Sequence, residues 1–410
     1  MIAASARATA WAVPIAVEMT ALVRSVILAR LLGVEEFGQA ALLAVTLRLV
    51  EMASDIGVER LLAQATDGDS AALQANLHGA LILRGAAMAL CLGVLAVVMS
   101  VAFPSGPALL TYLALALVPC GKAFLHLDVR RAERSFSYRG LALVEAAGAV
   151  AMLVVAALVA HHTGSHIALV FALAAQTVAQ VVVSHLLAER RYRVSFERAA
   201  MLRIWAFGAP LIANAGLMFL TLQADRLIIA KAYGVDALAV FVIVLQLSLL
   251  PALITGRAAA SLLAPVFRRA VDAGTVGRAA QQSLLAHAAL AVVFFGGFVL
   301  LADVVVTVIY GAAFSPDAPI VVALAAAAAL RIARTPLSQL AVSLGRTGDP
   351  ARANVMRALV LLPVTALALT GAPLWTLVAT AALGEALAAL RGWQLLSDVF
   401  AKTPTQKVMS

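Results

Sequence analysis

Charge is what this 410-residue chain has least of: 12% of its residues are charged, against 63% hydrophobic. A soluble domain of this length keeps about a quarter of its residues charged, because its surface faces water. Half that fraction excludes a water-covered globule, and the mean hydropathy of +0.99 agrees. Two cysteines, Cys91 and Cys120, both inside apolar runs, exclude a disulfide or metal framework and read as small buried hydrophobes. Alternating apolar/polar strands of the barrel kind are missing, so segments that cross a bilayer must be helices. No glycine loop of the phosphate-cradling kind follows a strand. No cleavable leader is evident, because the first apolar stretch is too long for a leader core and carries Glu18, Arg24 and Arg30. The pI near 10.2 raises nucleic acid as a partner. No basic face interleaved with aromatics lies on a soluble segment, so that partner is excluded too.

What is present is a series of apolar runs, each long enough for the roughly 20 residues that cross about 30 Å of hydrocarbon. They fall near 8–33, 37–63, 75–102, 107–127, 137–160, 166–188, 204–233, 236–260, 279–301, 318–345, 353–371 and 374–398. Physical breakers separate them, among them Pro104-Ser105-Gly106-Pro107, Arg346-Thr347-Gly348-Asp349-Pro350 and Gly371-Ala372-Pro373. Pro14, Pro210 and Pro251 are expected to interrupt the first, seventh and eighth spans. Trp11, Trp205, Trp375 and Trp393 fall near span ends, where an aromatic belt belongs.

Twelve spans place most of the 30 Lys and Arg residues on one side of the membrane, from Arg7 through Arg130, Arg131, Arg134 and the Arg190–Arg203 run to Lys402 and Lys407. The connections on the other side contain none. That asymmetry puts both termini in the cytoplasm and supports the helix count. The remaining basic residues sit within the spans: Arg24, Arg30, Arg48, Arg84, Lys122, Arg226, Lys231, Arg331 and Arg334. Each costs on the order of several kcal/mol unless it faces protein or water. Arg30, Lys122 and Lys231 lie near enough to span ends to snorkel. Arg24, Arg48 and Arg331 are too central, and they imply a polar interior. Glu18, Glu51 and Asp55 are at depths that allow pairing with Arg24 and Arg48. The spacing of Arg48, Glu51, Asp55 and Glu59 predicts one helix face. Asp225 and Arg226 could neutralise each other.

The chain also repeats itself. Ile27-Leu28-Ala29-Arg30-Leu31-Leu32-Gly33-Val34-Glu35 runs in register with Ile228-Ile229-Ala230-Lys231-Ala232-Tyr233-Gly234-Val235-Asp236. Both copies end an inside-to-outside helix, so the halves share orientation. The expected fold class is therefore an all-α integral membrane protein, with about twelve transmembrane helices in two parallel-repeat six-helix bundles around a central cavity. Its domains would be residues 1–190, a cytoplasmic linker 191–203, and residues 204–410.

The segment Arg24 to Gly38, with Asp55-Ile56-Gly57, Arg130-Arg131-Ala132-Glu133-Arg134-Ser135-Phe136, Phe207-Gly208-Ala209-Pro210-Leu211 and Leu222-Gln223-Ala224-Asp225-Arg226-Leu227-Ile228-Ile229, resembles the polysaccharide-biosynthesis flippases. These belong to the multidrug/oligosaccharidyl-lipid/polysaccharide exporter superfamily. The lipid II flippases of that superfamily carry an Arg-x5-Arg-x2-Gly pattern similar to Arg24, Arg30 and Gly33.

The resemblance implies a V-shaped pair of bundles in the inner (plasma) membrane, moving undecaprenyl-pyrophosphate-linked oligosaccharide to the outer leaflet by alternating access. It implies that lipid-linked oligosaccharide and membrane lipids are the partners, with a polymerase and glycosyltransferases of the same pathway. The substrate-binding residues expected on this reading are Arg24, Arg30, Arg48, Arg331 and Arg334, because guanidinium forks suit phosphate oxygens. Glu18, Glu51, Asp55 and Asp225 are expected either to couple transport to H+ or Na+ or to pair with these arginines. Neither a catalytic residue, a metal nor an organic cofactor is expected. A cation-coupled multidrug antiporter of the same superfamily is the alternative; its cavity should favour acids and aromatics, yet aromatics make up only 6% here. A membrane-embedded polymerase or ligase would need a sizeable external loop bearing acids, His or Arg, and the longest external connection, about 302–317, carries only Asp303 and Asp317.

Overall fold

The computed structural model describes residues 4–401, without the side chains of residues 4–12, 14, 213, 214, 217 and 401. Lys402 and Lys407 lie outside it, as do the side chains of Arg7, Trp11 and Pro14. The described residues are helical and include no strand. In order the helices are α1 (Ala4–Leu32), α2 (Val34–Ala53), α3 (Val58–Gln64), α4 (Ala71–Ala102), α5 (Leu109–Ala114), α6 (Leu117–Lys122), α7 (Asp128–Arg131), α8 (Arg139–Thr163) and α9 (Ile167–Leu186). There follow α10 (Arg198–Asp272), α11 (Val276–Ile309), α12 (Ala318–Ser343), α13 (Asp349–Leu359), α14 (Leu361–Leu369), α15 (Leu374–Leu395) and α16 (Ser397–Ala401). Eight of the described helical stretches are long and apolar enough to cross a membrane. Four further spans complete about twelve: α1 and α2, diluted by their charges; the split α5–α6; and the second helix that α10 contains.

The side chains facing outward agree with a lipid surround. Leu300 is 78% exposed, Val292 71%, Leu362 71% and Leu369 84%; a water-soluble chain rarely presents such apolar surface in bulk. Cys91 and Cys120 correct the expectation of burial, since both are exposed. In hydrocarbon a small apolar side chain gains nothing by hiding from its surroundings.

The repeat is visible in the backbone. Gly33, between α1 and α2, has φ 78° and ψ 179°. Gly234, its partner 201 residues later, breaks α10 with φ 86° and ψ 176°. This conformation is essentially restricted to glycine. Pro210 and Pro251, by contrast, do not interrupt α10; the break falls at Gly234. The second of these turns packs on α2, because a Cβ on Gly38 would sit 2.1 Å from the Val235 carbonyl oxygen.

The chain forms two compact units, Met1–Ala239 and Val240–Ser410. The first takes in the seventh span, the first arm of α10. Arg203 near the start of that arm grips Asp67 with two hydrogen bonds of 2.8 Å, and Gly208 lies flat against Ile56. Between α9 and α10 the chain is an irregular strap docked on the arginine-rich end of unit 1. Ser195 N–H donates to Ala75 O at 2.9 Å and Glu197 N–H to Asn76 at 2.9 Å. Two buried histidines hold it further. His78 shares 2.8 Å with the Arg193 carbonyl through Nδ1 and accepts from Leu127 N–H at Nε2. His126 bonds the Arg190 carbonyl at 3.0 Å. Asp128 accepts from the backbone N–H groups of Glu189 and Arg190 and from Arg131. Burial works to raise its pKa; the Arg131 bond, with those N–H groups, outweighs it and holds the carboxyl below its usual range.

Within unit 2 a core forms from Phe267, Ala280, Leu337, Leu340, Ala341 and Leu396. Gly33→Ala or Gly234→Ala is expected to lower stability by about 1–3 kcal/mol. Gly164→Ala, at a milder left-handed turn (φ 59°, ψ 21°), should cost about 1 kcal/mol. Thermal unfolding of the three variants in detergent checks the order.

Candidate functional site

The site begins where α2 stops. α2 ends at Ala53, and α3 starts only at Val58. In between, Asp55 folds back to accept the Gly57 N–H at 3.0 Å, with Gly57 left-handed at φ 66°. The single helix face expected for Arg48, Glu51, Asp55 and Glu59 is therefore corrected: the chain turns between Glu51 and Glu59. The Asx turn and its glycine compete successfully with the helix.

The break exposes the end of α2, and cations collect there. Glu51 accepts from Lys122 Nζ at 2.7 Å and lies 3.7 Å from Arg48. Arg84, from α4, donates to the Glu51 carbonyl at 3.2 Å and to Ser54 Oγ at 3.3 Å, capping carbonyls that the helix leaves open. Two cations thus share the Glu51 carboxylate, whose side chain is 20% exposed, and a third, Arg84, holds the backbone carbonyl of the same residue. Asp55 pairs with Arg60 at 3.6 Å rather than with Arg48. Lys122 does not snorkel away, because Glu51 holds it.

A second tier follows. Arg130 reaches Glu133 at 3.0 Å, Glu59 at 3.3 Å and Glu145 at 3.9 Å. Glu145 on α8 also accepts from Gln180 on α9 at 2.9 Å. Arg24 enters from α1 and directs Nη1 at the Met152 sulfur, 3.4 Å away.

Three adjoining cavities of unit 1 connect these groups. One of about 330 Å³ is lined by Glu51, Glu59, Arg84, Lys122, Arg130 and Glu145, with Gln176 and Gln180. It shares Glu51, Glu59, Arg84 and Lys122 with a cavity of about 340 Å³ that reaches Arg48, Asp55 and Arg60. On another side it shares Val17, Glu145 and Gln176 with a cavity of about 440 Å³, walled by Val13, Ala16, Ala21, Ala142, Ala146 and Ala149, into which Arg24 projects. Counted over the three, Arg24, Arg48, Arg60, Arg84, Lys122 and Arg130 face Glu51, Asp55, Glu59 and Glu145, a surplus of two positive charges. Such a lining attracts a divalent or more highly charged anion and repels a cation. No cluster of three or more His, Cys, Asp or Glu able to hold a metal occurs among the described residues.

Of the residues singled out in the sequence, Arg24, Arg48, Glu51 and Asp55 line these cavities. Glu18 is half-buried on α1, and Arg30 is exposed beside the Gly33 turn; neither lines them. Asp225 lies on α10, where it accepts the Arg226 N–H at 2.9 Å, while the Arg226 guanidinium donates to Leu222 O at 2.7 Å and to Gln223. Arg331 and Arg334 sit in unit 2 around Glu385, together with Arg357. Sequence reasoning missed Arg60, Arg84, Lys122 and Arg130 as lining groups. Arg84 and Lys122 were visible as charges inside spans; Arg60 and Arg130 look like loop residues until the α2 break draws them in.

Among curated protein sequences none matches the chain. Among solved structures it resembles an inward-facing multidrug resistance MATE family transporter of the MOP superfamily, with TM-score 0.67, 16% identity, and 94% of this chain and 96% of that one covered. It also resembles the lipid II flippase MurJ in an inward closed conformation, with TM-score 0.73, 11% identity, and 94% and 86% covered. A MOP superfamily transporter from Pyrococcus furiosus, described as having a binding pocket of reversed polarity, gives TM-score 0.56 at 16% identity, with 95% and 94% covered. At such identities these likenesses speak for the fold alone. The sequence model of one family, described as polysaccharide biosynthesis protein, matches residues 27–319. That stretch carries the α1–α2 repeat turn, the α2 break and every polar group of the unit 1 cavities except Thr20 and Arg24, so this multi-pass membrane chain, built on the fold of the MOP transporters, belongs to the polysaccharide biosynthesis protein family.

Proposed function

We propose that the protein is a flippase that carries a polyprenyl-pyrophosphate-linked oligosaccharide from the cytoplasmic to the outer leaflet of the inner (plasma) membrane by alternating access, for surface polysaccharide synthesis. It is a transporter on this reading and performs no covalent chemistry. The observation that carries the proposal is the surplus of cations in the unit 1 cavities beside a slot walled by alanine and valine. A lipid-linked sugar has three parts with different needs. Its pyrophosphate needs several charged donors, its polyprenyl chain an apolar wall, and its sugars polar groups and water.

Arg48, Arg84 and Lys122, gathered on Glu51, present those donors. Among the described residues Arg24 is the one cation lining the apolar slot, and on this reading it meets the phosphate where the first isoprene begins. Gln176, Gln180 and Glu145 supply hydrogen bonds for sugar hydroxyls. The family description, polysaccharide biosynthesis, and the lipid II flippase among the structural neighbours favour the same cargo. On this reading the arginine-rich end faces the cytoplasm, the side that the positive-inside rule favours for it.

The rival reading, a cation-coupled drug antiporter, is favoured by the MATE neighbours. The charge of the lining opposes it, because a cationic drug would meet a net positive wall.

Each hydrogen bond to a charged group contributes about 1.5–3 kcal/mol. Arg24→Ala with Arg48→Ala should therefore weaken binding of a soluble polyprenyl-pyrophosphate sugar by about a hundredfold or more in detergent titrations. Unchanged binding, or a preference of the wild type for cationic dyes, would transfer the case to the antiporter. The sign of an acid substitution separates the readings again. Glu59→Gln raises the positive surplus and should tighten pyrophosphate binding severalfold, whereas an antiporter would lose cation affinity; equilibrium titration of the variant decides.

A further inference from the structure

Unit 2 repeats the charge arrangement of unit 1 on different helices. Arg331 and Arg334 lie one turn apart on α12, Arg357 and Asn354 one turn apart on α13, and Glu385 on α15. Gly384 lets α15 approach α13 closely: a Cβ there would touch the Arg357 Cα at 3.4 Å. Glu385 is 3% exposed and receives all three guanidinium groups. Arg331 donates to Oε1 through Nη2 and through Nε at 3.0 Å. Arg334 Nε reaches Oε2 at 3.0 Å, and Arg357 Nε lies 2.9 Å from Oε1. Arg334 Nη2 also donates to Asn354 at 3.2 Å.

One arginine would neutralise Glu385, and a second would still be a familiar buried triad. A third adds charge that the carboxylate cannot balance. The next carboxylate along, Asp349, is already held by Arg346 at 2.8 Å and Arg352 at 3.2 Å. The Nη1 groups of Arg331 and Arg334 find no acceptor among the described residues, while their side chains keep 23% and 11% exposure. Surplus positive charge on membrane-spanning helices is costly without a counter-ion. Guanidinium groups fixed in orientation by a shared carboxylate are already ordered for a tetrahedral oxyanion.

We propose that Arg331, Arg334 and Arg357, organised by Glu385, form a second anion site in unit 2 that binds the phosphate group of a lipid. Arg331 and Arg334 offer the donors, and Glu385 is the positioning residue. The phosphate could come from the pyrophosphate of a prenyl-linked substrate or from an anionic phospholipid of the bilayer; the chemistry at the site is the same. The inference stands whether or not unit 1 carries lipid-linked sugar.

The test uses the full-length protein in dodecyl maltoside, on a background of Arg24→Gln with Arg48→Gln that weakens the unit 1 cavities. Native mass spectrometry with farnesyl pyrophosphate and, separately, with phosphatidylglycerol counts bound ligand. The background protein is expected to retain one ligand for at least one probe, and the probe that binds identifies the source. Arg331→Gln still leaves Glu385 two arginines and should elute as a monodisperse protein, yet lose at least tenfold in affinity. Arg331→Lys, keeping the charge but not the fork, is expected to bind severalfold more weakly than the background and covers the case in which Arg331→Gln aggregates. If neither probe binds the background protein, or if Arg331→Gln and Arg334→Gln bind both probes as tightly as it does, the arginines only neutralise Glu385 and tie three helices together, and the proposal is wrong.

Discussion

In each unit of this membrane protein a cluster of cations is organised around one glutamate that gathers more of them than it can neutralise. Glu51 gathers Arg48, Arg84 and Lys122 in unit 1, and Glu385 gathers Arg331, Arg334 and Arg357 in unit 2. A bilayer punishes unpaired charge, so each cluster must have its anchoring acid. The acid also fixes the arginines in place before any ligand arrives. What remains after pairing is a preorganised positive surplus, the property a carrier of phosphate-bearing lipid needs and a carrier of cations does not.

Backbone breaks deliver the charges to those places. An uninterrupted second span would carry Asp55 and Glu59 along the same face as Glu51. The Asp55–Gly57 turn instead ends α2 early and opens its last carbonyls to Arg84. Arg130 from the following arginine-rich segment reaches the same space. The same turn is the place where Ile56 meets Gly208 of the seventh span. The glycine turns at Gly33 and Gly234 act at the other end of the helices, each reversing the chain in a conformation that other residues avoid.

Much of this was legible in the amino-acid sequence. Apolar run lengths give the helical membrane class, and the register of Gly33 with Gly234 foretells two turns of the same shape. Arg24 and Arg48 announce a polar interior by depth alone. The rest depends on pairings between residues far apart in the chain. Lys122 is 71 residues from Glu51, and as a lone cation near a span end it looks like a snorkelling side chain. Arg357 reads as a residue of a connection until α13 sets it against Glu385. The three- and four-residue spacing from Arg48 to Glu59 imitates a helix face, and only the Asx turn at Asp55 reveals otherwise. Cys91 and Cys120 mislead in the opposite sense, because apolar side chains that would be buried in water face outward in lipid.

The central claim is that the cation surplus of unit 1 serves the passage of a pyrophosphate-linked lipid. Reconstitution into liposomes holding a fluorescent polyprenyl-pyrophosphate sugar, with an impermeant quencher added outside, tests it most directly. The account predicts that wild-type protein equilibrates the lipid between leaflets well above the protein-free rate and that Arg48→Ala returns it to that rate. Equal rates with and without the protein, or full activity in Arg48→Ala, would contradict it.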